Sequence, residues 1–204
     1  FEGYEDLRIA LLKDAPKYGN NIPYVDEIAR KILTFFATEV GQYRNLRGGW
    51  FVPGQYSNSA NVPFGEDCAA TPNGRLANTP IAEACSPSHG SEHNGPTQAA
   101  LSVAHLDHVL FTNGTQYNQK YHPNALKGET GLSALVGIIR SFFEAGGFHI
   151  QFNVVSAETL RKAQKDPEKY RDLVVRVAGY TAFFVDLNKQ IQDDIIDRTE
   201  MSFQ

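Results

Sequence analysis

Cys85, His89 and His93, followed by His105 and His108, have residue types and spacings that a zinc site could use. The stretch around the first three is rich in Pro, Gly and Ser, which leaves its geometry unconstrained, and no fourth ligand stands out. The expectation is therefore no metal, with the histidines on the surface or in ordinary hydrogen bonds. A zinc-stapled binding module is the weaker reading. The second thiol, Cys68, lies in Glu66-Asp67-Cys68-Ala69-Ala70. Two cysteines are too few for a disulfide framework in a chain this size, and a reducing compartment suits them. Gly179 stands between two apolar runs, Leu173–Val177 and Thr181–Leu187, where a lone glycine reads as a turn or bulge.

The elements that must position these residues follow from hydropathy patterning. Val25, Ile28, Ala29, Ile32, Leu33, Phe36 and Val40 recur at helical spacing between Pro23 and Gly41, a stripe expected to pack in the core. Residues 44–98 are crowded with Gly, Pro, Asn, Ser and Thr and read as ordered loop with one or two short strands, the kind of segment that lines active sites. A helix is expected over 97–107 and another over about 131–145, with Leu132, Leu135, Val136, Ile139, Phe142 and Phe143 as its apolar face and Gly146-Gly147 as its stop. Residues 109–123 look irregular, with a short strand and a loop. Phe148, Ile150, Phe152 and Val154 alternate with polar residues as in a strand. Ser156 and Asn188 sit where they can cap helices, and Asp166-Pro167 reads as a cap followed by Pro at the first helical position. Strands separated by helices imply an α/β arrangement with partly parallel strands.

Composition sets the outer limits. The 204 residues carry 42% hydrophobic and 21% charged residues and a net charge of -4, which gives no electrostatic reason to expect nucleic acid or a membrane surface. No apolar run reaches the length of a membrane span, and a cytoplasmic protein is the default. The chain opens Phe1-Glu2-Gly3-Tyr4, and its only Met is Met201. The expectation is a piece of a longer polypeptide or one subunit of a split enzyme, the alternative being removal of an initiator. Asn113-Gly114-Thr115 matches a glycosylation triplet, which is discounted without a secretion signal.

Arg176-Val177-Ala178-Gly179-Tyr180 resembles the radical-bearing loop of glycyl radical enzymes. Gly147–Val155 resembles the strand before that loop in glycerol and propanediol dehydratases, and Gln192–Ile196 with Arg198-Thr199-Glu200 resembles their C-terminal helix. Upstream, Thr71–Arg75, Asn94–Thr97 and Asn113–Lys120 fit the same family. The resemblance runs in order along nearly the whole chain. It implies the C-terminal part of a ten-stranded α/β barrel of the glycyl radical enzyme type. Residues 1–146 would complete the barrel and substrate pocket, and residues 147–204 would form the radical domain.

By that resemblance, Gly179 would store the radical, supported by Arg176, Val177, Ala178 and Tyr180. A Cα radical is delocalised over the flanking amide groups and needs a flat centre, which a Cβ would oppose. Glycine also reaches conformations closed to other residues. Tyr56, in the loop Pro53–Gly65, falls where the dehydratases place a pocket tyrosine, although it also reads as a packed aromatic. No cofactor would be bound. The radical would be installed by a radical S-adenosylmethionine activase with an iron–sulfur cluster. The family passes the radical to a cysteine in a Gly-Cys-x-Glu setting, which neither Cys68 nor Cys85 matches, so that cysteine is expected outside this chain. The implied partners are a small-molecule substrate, the activase, the part of the enzyme carrying the cysteine loop, and a second copy in a homodimer. The implied reaction is dehydration of a small diol or related alcohol. C–N or C–S cleavage, arylacetate decarboxylation, and a radical-carrier subunit without catalysis are the alternatives. Asn61 stands where the dehydratases more often carry His, and Ile81-Ala82-Glu83-Ala84 departs from their Leu-Ala-Asp-Gly, which leaves the exact substrate open.

Overall fold

The computed structural model describes residues 1–203. Two helices, α1 (Glu5–Lys13) and α2 (Pro23–Val40), open the chain. The long loop region contains one short helix, α3 (Asn61–Glu66), and leads into α4 (Gly95–Ala104). Strand β1 (Tyr117–Tyr121), α5 (Gly128–Glu144) and β2 (Ile150–Val154) follow. The remaining elements are α6 (Ala157–Lys165), β3 (Val174–Arg176), β4 (Thr181–Phe183), α7 (Lys189–Asp197) and β5 (Glu200–Met201).

The main sheet is parallel, in the order β2-β1-β5, and a separate antiparallel hairpin pairs β3 with β4. The α/β arrangement implied by the sequence is therefore the one the chain forms. The central strand is β1, in a stretch that reads as irregular because Tyr117-Asn118-Gln119-Lys120-Tyr121 has no apolar alternation. All five residues are buried. Their polar groups are answered inside: Gln119 Nε2 donates to the Pro96 carbonyl at 2.9 Å, and Lys120 Nζ donates to the Ile196 carbonyl at 2.6 Å, at the C-terminal end of α7. Buried polar groups are tolerable when paired in this way, and a lysine at a helix C-terminus also meets the negative end of the helix dipole.

Two apolar cores flank this sheet. One joins α4, α5 and β1 through Val103, Tyr117, Tyr121, Ile138 and Phe142. The other packs α6 and α7 against β3 through Leu160, Val175, Phe184 and Ile195. Each fully buried side chain of this size stabilises by about 1.5–3 kcal/mol relative to exposure. Two helix caps are as expected, the Ser156 hydroxyl accepting from Thr159 N–H at 3.1 Å and Asn188 Oδ1 accepting from Ile191 N–H at 2.9 Å, whereas Asp166 precedes only a 3-10 turn over Pro167–Tyr170 and its side chain makes no cap hydrogen bond.

Three expectations need correction. The apolar stripe of α2 does not fill the core: Ile28, Ile32 and Phe36 are 53%, 63% and 43% exposed, and the residues buried in that helix are Asp26 and Ala37. Periodicity identifies an apolar face without saying what covers it. On α5, Phe142 is buried but Leu132, Val136 and Phe143 are exposed. On β2, Gln151 and Asn153 are more buried than the apolar residues that alternate with them, because the polar face receives the β3–β4 hairpin. No helix among the described residues is long and apolar enough to cross a membrane.

Candidate functional site

The hairpin is closed by Val177 N–H donating to the Tyr180 carbonyl at 2.9 Å, one step beyond the Arg176–Thr181 pair. This leaves Ala178-Gly179 as a two-residue tip. Gly179 has φ +85°, which suits the third position of a type II turn. A Cβ there would lie 3.1 Å from Gln116 Oε1. Val177 and Ala178 are buried, while Gly179 is exposed and faces an open cavity of about 350 Å³. That cavity is also lined by Tyr56, Asn113, Gln116, His149 and Tyr180. The fold thus brings Tyr56 and Gly179, far apart in sequence, to one cavity. Tyr56 is half exposed, and its hydroxyl accepts from Asn113 Nδ2 at 2.8 Å.

The main sheet grips the hairpin through side chains. Arg176 N–H donates to Asn153 Oδ1 at 2.7 Å, and Asn153 Nδ2 returns a bond to the Arg176 carbonyl at 2.6 Å. Arg176 also donates from Nε to Gln151 Oε1 at 2.7 Å and from Nη1 to Thr181 Oγ1 at 2.9 Å. Gln151 and Gln116 both donate to Asn118 Oδ1. A ladder of amides therefore runs from beneath Gly179, across β1 and β2, to the base of the hairpin. Amide side chains suit this role because each both donates and accepts without carrying charge. Val177 joins the second core, and Tyr180 packs against it.

Behind the hairpin lies a buried charged cluster. Arg198, Glu83 and Asp194 are 5%, 2% and 3% exposed. Arg198 Nη2 donates to Asp194 Oδ2 at 2.9 Å, and His89 Nε2 donates to Glu83 Oε2 at 2.8 Å. Burial opposes the charge on Glu83, but the Arg198 and His89 charges outweigh it and hold its carboxyl down at about 2. Burial also opposes the His89 charge, yet Glu83 and Asp194 raise its pKa above the ordinary value. Burial raises the carboxyl of nearby Glu92 to about 7, with the Glu83 charge adding to the rise and a hydrogen bond from Thr199 and the His89 charge opposing it.

The zinc candidates do not converge. Cys85 Sγ donates to the Gln116 carbonyl at 2.7 Å, and burial pushes its thiol up to about 12. His89 is engaged by Glu83, and His108 by Thr115 Oγ1 and the Val103 carbonyl, each at 2.8 Å. His105 Nδ1 lies 3.7 Å from Asp26 Oδ2. Among the described residues, no group of three or more His, Cys, Asp or Glu side chains could hold a metal ion. Cys68 and Cys85 do not line the Gly179 cavity. Gln116, Asn118, Gln151, Asn153, Asp194 and Arg198 lie in segments that resemble the family, and Glu83 lies where the sequence departs from it, but none of them carries a site role in the sequence alone. Asp194 and Arg198 stand four residues apart at the end of an amphipathic helix, a spacing that suits an ion pair.

An α/β sheet that clamps a glycine-tipped hairpin beside an open cavity defines a class, and the comparisons agree. Residues 81–185 match the family described as "Glycine radical", and residues 1–65 match "Pyruvate formate lyase-like". The chain belongs to the glycyl radical enzyme family. It is similar to the B12-independent glycerol dehydratase from Clostridium butyricum, with TM-score 0.95 and 51% identity over 100% of this chain and 26% of that one. It is 47% identical to the probable dehydratase YbiW of Escherichia coli (strain K12), over 98% of this chain and 26% of the relative. It is 44% identical to the isethionate sulfite-lyase of Bilophila wadsworthia (strain 3_1_6), over 98% of this chain and 24% of the relative. The chain thus spans about a quarter of the length of these relatives and corresponds to the C-terminal part of the matched structures.

Proposed function

We propose that Gly179 stores a backbone radical for a lyase that dehydrates a small diol or related alcohol. The observation that carries this reading is a positive-φ glycine, exposed at a hairpin tip and sharing a cavity with Tyr56, inside the stretch that matches the "Glycine radical" family. The radical would be installed by an activase of the radical S-adenosylmethionine type with an iron–sulfur cluster. It would then pass to a cysteine supplied by the rest of the enzyme. The thiyl radical would take a hydrogen from the carbon beside a substrate hydroxyl, water would leave with acid–base help, and the hydrogen would return from the thiol. Residues 147–204 would act as the radical-bearing unit, and residues 1–146 as its wall and pocket, in a cytoplasmic enzyme that pairs as a homodimer.

Exposure of Gly179 in this chain fits the need for that wall. A reactive intermediate requires exclusion of water and oxygen, and the exposed apolar side chains of α2 and α5 offer surface for more protein to cover. The purified 204-residue chain is therefore expected to show no lyase turnover with an activase, because the thiol that attacks substrate lies elsewhere. Turnover would force a new assessment of Cys68 and Cys85. With the full enzyme, dehydration of glycerol or propanediol to the aldehyde is the expected reaction. The 44% identity to an isethionate sulfite-lyase favours C–S cleavage as the second reading. Release of sulfite from a hydroxysulfonate, with no aldehyde from diols, would select it.

Tyr56 is proposed to contact substrate from the cavity wall. Tyr56→Phe keeps the ring but removes a hydroxyl whose protein partner is Asn113 Nδ2. Loss of one such hydrogen bond costs about 0.5–1.5 kcal/mol. kcat/KM for the best substrate is expected to fall accordingly, and unchanged steady-state kinetics would leave Tyr56 a packed aromatic.

A further inference from the structure

The Gly179 hairpin is held on two sides. On one side, the amides of β2 take the backbone and side chain of Arg176. On the other, the Val177 carbonyl accepts from Arg198 Nη1 at 2.7 Å. Val177 is fully buried, so this carbonyl has no access to water through its own side chain's surface and depends on protein donors. The guanidinium that reaches it is itself fixed: Nη2 donates to Asp194 Oδ2 at 2.9 Å, and Nε faces Glu83 Oε1 at 3.6 Å. Both carboxylates are anchored in turn, Asp194 by Asn61 Nδ2 at 3.0 Å and Glu83 by His89 at 2.8 Å. With Nη2 bonded to Asp194 and Nε turned toward the Glu83 carboxylate, the planar guanidinium is oriented so that Nη1 points at the Val177 carbonyl. Here that direction ends two residues before Gly179.

An arginine needed only to neutralise Glu83 and Asp194 would have no reason to reach a hairpin carbonyl. We infer that Arg198 is a positioning residue for the radical loop, fixing the Ala178-Gly179 tip relative to the cavity and tying its placement to the end of α7. This inference rests on the reading of Gly179 as the radical site. Hydrogen transfer between the Gly179 Cα and a thiol demands close approach, and a misplacement of about 1 Å can cost on the order of 100-fold in rate.

The test uses the full enzyme with Arg198→Met and Arg198→Lys. Before activation, hydrogen–deuterium exchange is measured across the chain. In Arg198→Met the Val177–Tyr180 amides are expected to exchange at least about tenfold faster, a local opening in which β1 stays protected. Lysine, which can still donate one bond to the Val177 carbonyl, restores part of the protection. After activation, kcat per glycyl spin is expected to fall by on the order of 10–100-fold, with KM within about twofold of the parent. Tip exchange equal to the parent's, tip exchange that rises only in step with β1, or a kcat that falls only in proportion to spin content overturns the inference. If Arg198→Met does not fold, Arg198→Met combined with Asp194→Asn removes the carboxylate charge that Arg198 bonds directly and is judged by the same results. A parent enzyme without a glycyl signal defeats the reading of Gly179 and the inference with it. A parent with the signal, beside an Arg198 variant whose tip is unmoved, defeats the inference alone.

Discussion

The Gly179→Ala enzyme is expected to assemble and yet show neither a glycyl radical signal nor oxygen-dependent cleavage after activation. Alanine supplies a Cα hydrogen but adds a Cβ that opposes flattening of the radical centre. It also enters a backbone site with φ +85°, where an L side chain is strained by about 1 kcal/mol. The added methyl would lie 3.1 Å from Gln116 Oε1, the end of a side chain, so a small shift can relieve the contact. The variant should therefore lose the chemistry without losing the fold. Electron paramagnetic resonance of the activated enzyme, followed by intact mass after exposure to air, separates the outcomes. The parent is expected to break at Gly179 and release the segment after it. A persistent glycyl signal in the variant, or parental cleavage at another residue, would defeat the assignment.

The largest loss of stability is expected from Glu83→Ala. Glu83 is buried between the cations of Arg198 and His89, which draw its carboxyl from 4.5 down to about 2 despite the opposing effect of burial. A tenfold change in proton affinity is equivalent to about 1.4 kcal/mol. Glu83 thus contributes about 3 kcal/mol by linkage. Its removal also takes away the hydrogen-bond partner of His89 and one of the two carboxylates that face Arg198, which keeps Asp194, for a total cost of about 3–5 kcal/mol. The sign follows from the depressed pKa: the contribution is fully present above about pH 4.5 and fades as pH falls through about 2. His89 behaves oppositely. Its raised pKa gives stability that is full below 6.5 and fades as pH rises through its folded value, and the variant removes its main partner. Thermal melting of the full enzyme at pH 7 should show a clear drop for Glu83→Ala, and the gap should narrow as the pH falls below 4.5. Equal melting at pH 7 would mean that relaxation around Arg198 and Asp194 offsets the loss.

Local chemistry made part of this protein legible in the sequence. Helix caps such as Ser156 and Asn188 act within one turn, so their side chains announce the helices they start. The glycine between two apolar runs marked the hairpin, because a two-residue tip with positive φ favours that residue. The ordered string of family-like segments identified the class that the comparisons show.

Tertiary structure decided what periodicity cannot encode. Strand β1 carries three polar residues in a row and lies at the centre of the sheet only because Pro96, Ile196 and neighbouring amides answer them. The apolar stripe of α2 looks the same in sequence whether the chain or another surface covers it, and here the side chains of Ile28 and Ile32 face outward. Glu83, His89, Asp194 and Arg198 come from two distant segments, and each reads as an ordinary solvated charge until the fold removes the water. Their mutual attraction is strong only in that low-dielectric setting. The family resemblance of the residues around it could mark Gly179, but the cluster that holds its loop exists only once the chain has closed around it.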